Sequence, residues 1–302
     1  MLTDSERDKQ FVEMARDTQA SEDAEAFDNA FAMYRLTIGC LIERSHLMTG
    51  HLRAFDTPHE TIEWAGEAIQ ELNAIYDEFL GPKNMHFVVE PHLKPQYKAL
   101  KIKARNPPPT GLRRKATEAL NNVRHSFDQT LHAACVALGK PRPRTNFTWR
   151  PTPREVQGYL RSKDIPVDLW EVIMGEEPYK RGNGYVGGDD FIFAVAKLAD
   201  GKHTIGFRIM PQVRDSAQPV VSGNFVLVPK PVWDTVNNEQ VIAFGPHDMQ
   251  VKGDYTVILN ITFDEPGPLH DQSLAWGLAR FHAKAQKFAH RMEARCIELQ
   301  GS

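Results

Sequence analysis

Four long stretches of the chain repeat apolar residues at alternating three- and four-residue intervals, and that period predicts amphipathic helices sharing one core. The first stripe is Phe27, Phe31, Tyr34, Ile38, Leu41 and Met48, with Ser21 placed to cap it and Gly50 near its end. The second is Ile62, Ala65, Ile69, Leu72, Ile75 and Phe79. Thr57, Pro58 and Glu60 spell the cap, first-turn proline and third-position acid of its start, and Gly81-Pro82 stops it. The third begins at Thr110 after Pro107-Pro108-Pro109 and runs through Leu112, Ala116, Ala119, Val123, Phe127, Leu131, Ala134 and Leu138. The fourth follows Pro268 and uses Leu274, Leu278, Phe281, Ala285, Phe288, Met292 and Leu299. A four-helix bundle is the economical reading.

Between the third and fourth helices the pattern changes. Pro141, Pro143, Pro151 and Pro153 break the chain. Two short helices are expected next, one capped by Thr152 with Glu155 and one over Val167 to Met174, then a loop from Gly182 to Gly188. Phe191 to Leu198 is apolar without a clear period and fits a buried helix. A period of two then appears at Ile205, Phe207 and Ile209, at Phe225 and Leu227, and at Tyr255, Val257, Leu259, Ile261 and Phe263. His86 to Glu90 and Tyr97 to Lys103 suggest a further hairpin. The fold class expected is α+β: an antiparallel helical bundle with an inserted, mostly antiparallel sheet and a C-terminal helix returning to the bundle. The boundaries are an acidic segment at 1–21, the bundle at 22–138 with the hairpin at 84–105, the insert at 139–268 and the returning helix at 269–302.

With 302 residues, 41% hydrophobic and 25% charged, such a chain can bury a large core without covalent staples. Cys40, Cys135 and Cys296 are widely spaced within predicted helices, which points to reduced packing residues rather than a disulfide framework or a cysteine zinc site. The first residues lack the apolar core of a signal peptide and no stretch approaches a membrane span, so a soluble cytoplasmic protein without a membrane partner is expected. The formal charge of -3 hides a local contrast. Lys94, Lys98, Lys101, Lys103, Arg105, Arg113, Arg114 and Lys115 lie in one segment free of carboxylates. That segment, 94–115, would bind a polyanion or nucleic acid if its cations were unpaired; alternate lysines on a strand are otherwise a solvated edge.

The third helix holds the densest polar set. Asn121, Arg124, His125, Asp128 and His132 share a face, with Arg124, Asp128 and His132 at four-residue steps. His125, Asp128 and His132 could hold a divalent ion only if another helix completed the shell; an Arg124 to Asp128 ion pair is the simpler expectation. No metal and no cofactor is expected. Gly182-Asn183-Gly184-Tyr185-Val186-Gly187 spells G-x-G-x-x-G, but no strand precedes it, so it reads as a connection. No G-x-S-x-G, Walker loop, H-E-x-x-H or paired cysteine motif occurs, which weighs against the commonest hydrolases and nucleotide enzymes.

The stretch Pro107 to Leu138 resembles an uncharacterised family of bacterial proteins with a proline-rich entry and a helix reading roughly G-D-x-L-H-N-L-R-S-A-L-D-H-L. Asn122, Arg124 and Asp128 match that helix, while Thr117, Asn121 and Gln129 replace its Gly and two His. Glu177-Pro178-Tyr179 resembles the family's Q-P-Y, and Lys202-His203 sits where it has D-K-H-R. The resemblance implies no reaction. The helical architecture is also similar to HEPN-type ribonucleases, whose Arg and His are separated by four to six intervening residues and which pair two such sets across a homodimer. Arg44 and His51 have that spacing, whereas Gln129 takes the place of the corresponding imidazole in the third helix. The function expected is therefore non-catalytic binding of a partner or small ligand where bundle and insert meet, through Arg124, Asp128, His132, Tyr179, Lys202 and His203. A metal-independent ribonuclease acting through Arg44 and His51 is the alternative.

Overall fold

The computed structural model describes residues 51–92, 96–140, 146–182, 184–202, 209–216, 221–222, 226–228, 232–248, 250–251 and 257–301. The chain divides at His51, and the fold below is that of Leu52–Ser302. The first predicted helix, Ser21 to Gly50, and with it Arg44 and Cys40, lies outside the described residues.

Three long helices form the core: α1 (Asp56–Leu80), α2 (Thr110–Ala137) and the last helix, α6 (Leu274–Gly301). The start of α1 departs from the sequence reading. Thr57 does not cap it; a 3-10 turn, Arg53–Phe55, runs straight into Asp56, and Phe55 stands at the cap position with no side-chain cap. Phe55 is fully buried, and its burial draws this turn onto the core. Ile75 lies against Gly111 and Lys115 pairs with Glu71, so α1 and α2 run antiparallel. At the other end, Cys296 approaches the Ala134 carbonyl and Gln300 donates to that of Ala137. Helix α6 is thus parallel to α2 and antiparallel to α1, because the long insert returns the chain to the end where α2 began.

Helices α1 and α6 meet closely at Gly66, where a Cβ would stand 3.3 Å from His282 Nε2. His282 is 3% exposed, and its Nε2 bonds the Ile62 carbonyl at 2.9 Å. The carbonyl only accepts, so the ring is the Nε2–H tautomer. Burial pulls the pKa of His282 below the usual imidazole range, partly opposed by the Ile62 bond. The unfolded chain therefore takes up this proton first as pH falls, and stability present above about pH 6.5 is lost below it. Urea midpoints should show a loss of about 1 kcal/mol between pH 7.5 and 5.5, smaller in His282→Gln.

The short helices follow the sequence closely. Thr152 caps α3 (Pro153–Ser162) by accepting from the Glu155 N–H at 3.3 Å, and a 3-10 turn leads into α4 (Trp170–Gly175). Helix α5 (Asp190–Lys202) is the aperiodic apolar segment. The predicted hairpin is β1 (Met85–Pro91) with β2 (Tyr97–Ala104), and the strands that follow are β3 (Ile209–Ser216), β4 (Val221–Ser222), β5 (Val226–Leu227), β6 (Trp233–Asp234), β7 (Glu239–Pro246), β8 (Gln250–Val251) and β9 (Val257–Phe263). The main sheet has the order β1-β2-β7-β5, with β6 also on β7; β3 pairs with β9 and β4 with β8, all antiparallel. The hairpin is thereby part of the insert's sheet, and β2 is an inner strand. Tyr76 of α1 donates to Asn260 Oδ1 of β9 at 2.8 Å, tying that pair to the helices. Among the described residues no helix is long and apolar enough to cross a membrane.

Candidate functional site

Phe147 marks the centre of the polar face of α2. Its ring enters the core beside Phe127, Trp149 and Phe288 at centroid distances of 4.9, 5.2 and 4.9 Å. Its peptide groups still need partners, and α2 supplies both. Asp128 Oδ1 accepts the Phe147 N–H at 2.6 Å, and Arg124 Nη2 donates to the Phe147 carbonyl at 3.1 Å. Arg124 Nη1 donates to Asp128 Oδ1 at 2.6 Å and its Nε to Asp200 Oδ1 at 2.8 Å, so one guanidinium joins α2, α5 and the segment before α3. Burial disfavours the Arg124 charge, but Asp128 and Asp200 outweigh it and hold its pKa up. At Asp128 burial wins over the Arg124 attraction and the Phe147 N–H, and the carboxyl pKa is raised. An ion pair of this kind fixes a geometry more than it adds stability.

The arrangement answers what the sequence left open about this face. Asp200 stands two residues before Lys202, so the Arg124 ion pair brings the middle of α2 to the end of α5. Lys202 is the last residue of α5, while His203 lies outside the described residues. His132 is exposed one turn beyond Asp128, and among the described residues His125, Asp128 and His132 do not gather three ligand atoms at one point. Sequence reasoning missed Phe147 and Asp200 as the partners of Arg124, because neither stands in a motif.

Tyr179 occupies a different setting, a loop whose shape is fixed by contacts remote in sequence. Glu177 has a left-handed φ of 49°, and Gly187 and Gly188 have φ of 90° and 93°. Non-glycine residues rarely hold that conformation without compensation, and here the Glu177 carboxylate accepts the Gly188 N–H at 3.0 Å. A Cβ on Gly188 would collide with the Lys180 carbonyl. Arg150 N donates to Pro178 O and Asp189 N to Tyr179 O, at 3.0 and 3.1 Å. Arg280 of α6 pairs with Asp189 and lies over the Phe191 and Trp276 rings, which anchors the loop to the bundle. Next to it Glu176, 1% exposed, takes Arg291 at 2.8 Å and Lys284 at 3.5 Å.

Within this frame the Tyr179 ring is buried, with Tyr185 edge-on at 5.6 Å. Its phenol pKa is raised, first by burial and then by the Glu177 charge, so the hydroxyl keeps its proton. Among the described residues that hydroxyl has no hydrogen-bond partner. The Tyr185 hydroxyl, by contrast, is directed at the Lys180 and Pro151 carbonyls.

Three cations of the basic segment are neutralised by carboxylates from elsewhere in the chain. Lys101 pairs with Glu90 and Glu239 at 3.1 and 2.6 Å, and Lys103 with the same two at 2.5 and 3.0 Å. Lys115 pairs with Glu71 and Glu118. The hydrogen bonds from Lys103 and Lys101 hold Glu90 below the usual carboxylate range. These lysines are cross-strand partners of a central strand, not the protected edge that the sequence suggested, because β7 covers β2. Arg105, Arg113 and Arg114 remain exposed, and Lys94 lies outside the described residues. Of the proposed nuclease pair, His51 is exposed.

Cys135 and Cys296 are both buried and outside any disulfide, and burial, with Cys135 nearby, pushes the Cys296 thiol up to about 12, well away from reactive thiolate chemistry. No family model, curated protein or solved structure matches the chain.

Proposed function

We propose that this protein binds a small polar ligand without transforming it, at the loop Glu177–Asp190 where the insert meets the bundle. The observation that supports this reading is the protonated Tyr179 hydroxyl, unpartnered among the described residues and held in a loop of strained backbone. A buried ring with an open polar tip is the usual form of an orienting group in a ligand site. Strained φ values kept in place by Glu177, Asp189 and Arg280 fit a loop whose geometry matters. A catalytic reading has less support on the α2 face, because the three donating nitrogens of Arg124 named above already meet Asp128, Asp200 and Phe147.

The test is a thermal-shift and calorimetric screen of free amino acids, nucleotides and sugar phosphates against the whole protein. At least one compound should bind, and Tyr179→Phe should weaken it by about tenfold, the worth of one desolvated hydrogen bond of roughly 1.4 kcal/mol. Absence of any ligand whose affinity depends on Tyr179 overturns the reading. RNA cleavage that is lost in Arg44→Ala and in His51→Ala would replace it with the ribonuclease.

A further inference from the structure

Four carboxylates lie between Glu176 and Asp190, and their settings differ. Glu176 is matched by Arg291 and Lys284, Asp189 by Arg280, and Asp190 accepts the Arg181 N–H at 3.0 Å. Glu177 is half-buried, and among the described residues no cation pairs with it. Neither basic side chain of the loop turns to it: Lys180 Nζ lies 5.1 Å from the centre of the Phe193 ring, and Arg181 Nε donates to the Gly188 carbonyl at 3.2 Å. One Glu177 oxygen, Oε2, accepts the Gly188 N–H, while Oε1 has no donor among the described residues. Oε1 and the Tyr179 hydroxyl converge on one face of Gly187, where a Cβ would stand 2.5 Å from the first and 3.1 Å from the second. Glycine leaves that spot clear. Tyr179 is only 7% exposed, yet neither oxygen is sealed from water.

We propose that the ligand of this loop is recognised through a primary ammonium group held between Glu177 Oε1 and the Tyr179 hydroxyl, an assignment that rests on the loop being the ligand site. An ionised carboxylate only accepts, so the group that completes Glu177 must donate, and at a half-buried position a charged donor gains most. A carboxylate partly removed from water without a counter-charge costs free energy, which a cation bound beside it offsets. The geometry suits a single nitrogen. With N–H···O distances of about 2.8 Å at the tetrahedral angle, an ammonium bridges oxygens about 4.6 Å apart. That span is open to two oxygens that each stand within 3.1 Å of one point. The phenol accepts one ammonium N–H and keeps its own proton to donate onward, as its raised pKa allows. The Tyr185 ring, edge-on to Tyr179 at 5.6 Å, adds an aromatic wall of the kind that favours cations over anions.

The experiment is calorimetric titration of the whole protein with three primary amines, L-alanine, putrescine and Nα-acetyl-lysine amide, each beside the counterpart whose ammonium is acetylated. The three stand for a free amino acid, a polyamine and a protein lysine. At least one should bind with Kd below about 1 mM, and its acetylated counterpart at least about tenfold more weakly. Glu177→Gln, which keeps an acceptor for the Gly188 N–H, should weaken that amine at least about tenfold, and Tyr179→Phe about tenfold. The acetylated counterparts are compared on the unaltered protein and decide the matter if Glu177→Gln does not fold. Binding of none of the three amines, or an affinity moved neither by acetylation nor by Glu177→Gln, overturns the assignment. A Tyr179-dependent ligand without an amine would then leave the loop as a ligand site, whereas the lack of any Tyr179-dependent ligand would remove both.

Discussion

Phe127→Ala should lower the free energy of unfolding by about 4 kcal/mol, read as a shift of the urea midpoint at unchanged slope. The residue is fully buried on α2, and its ring meets four others: Phe147 at 4.9 Å, Trp149 at 5.4 Å, Phe281 at 5.5 Å and Phe288 at 5.3 Å. Those partners come from α6 and from the segment that precedes α3, so the ring joins bundle and insert. Truncation leaves a void bounded by rigid rings that cannot collapse into it, which places the cost in the upper part of the range for such substitutions. Phe127→Leu, which refills most of the volume, should cost under about 1.5 kcal/mol. A loss as small as that for the alanine variant would mean that the two parts are not joined through this cluster.

The helices were legible because one periodic signal decides them. The stripes of α1, α2 and α6 are buried nearly residue for residue, Ile62 to Phe79, Leu112 to Leu131 and Leu274 to Met292, since burial is what the period encodes. The start of α1 was misread because Thr57, Pro58 and Glu60 satisfy a local capping rule that the burial of Phe55 overrides. Strand β7 escaped notice for a similar reason. Covered by β2 on one side and by β5 and β6 on the other, Glu239–Pro246 buries Glu239, Gln240, Ile242, Ala243 and Gly245, and no alternation survives. The lysines of β2 showed their charge but not Glu90 and Glu239, whose positions depend on pairing.

The candidate sites divide along the same line. Arg124 and Asp128 could be paired from their four-residue step, and the ion pair exists. Nothing in the local sequence joins them to Phe147 or Asp200, because those contacts form only when distant segments pack. Tyr179 was reached by likeness of the Glu177-Pro178-Tyr179 stretch to another family, whereas the open hydroxyl that gives it interest is a property of the folded loop.

Arg124→Ala should cost about 3 kcal/mol of stability while leaving the Tyr179-dependent ligand affinity of the folded protein within about twofold. The substitution removes a donor from three acceptors at once: the Asp128 carboxylate, the Asp200 carboxylate and the Phe147 carbonyl. Arg124 is 12% exposed in its side chain and Asp128 26%, so water can reach part of what is left, and the cost falls below that of a fully buried pair. Arg124→Lys restores the charge but not the planar fork, and cannot hold Asp128, Asp200 and the Phe147 carbonyl together; it should recover under half of the loss. Asp128→Asn retains an acceptor for the Phe147 N–H and should be the mildest of the three. A ranking in which Asp128→Asn removes ligand binding without moving the urea midpoint would place the ligand on the α2 face. If stability follows the order Ala, Lys, Asn and affinity does not, Arg124 and Asp128 hold the Phe147 peptide in place, and their spacing records how this fold closes.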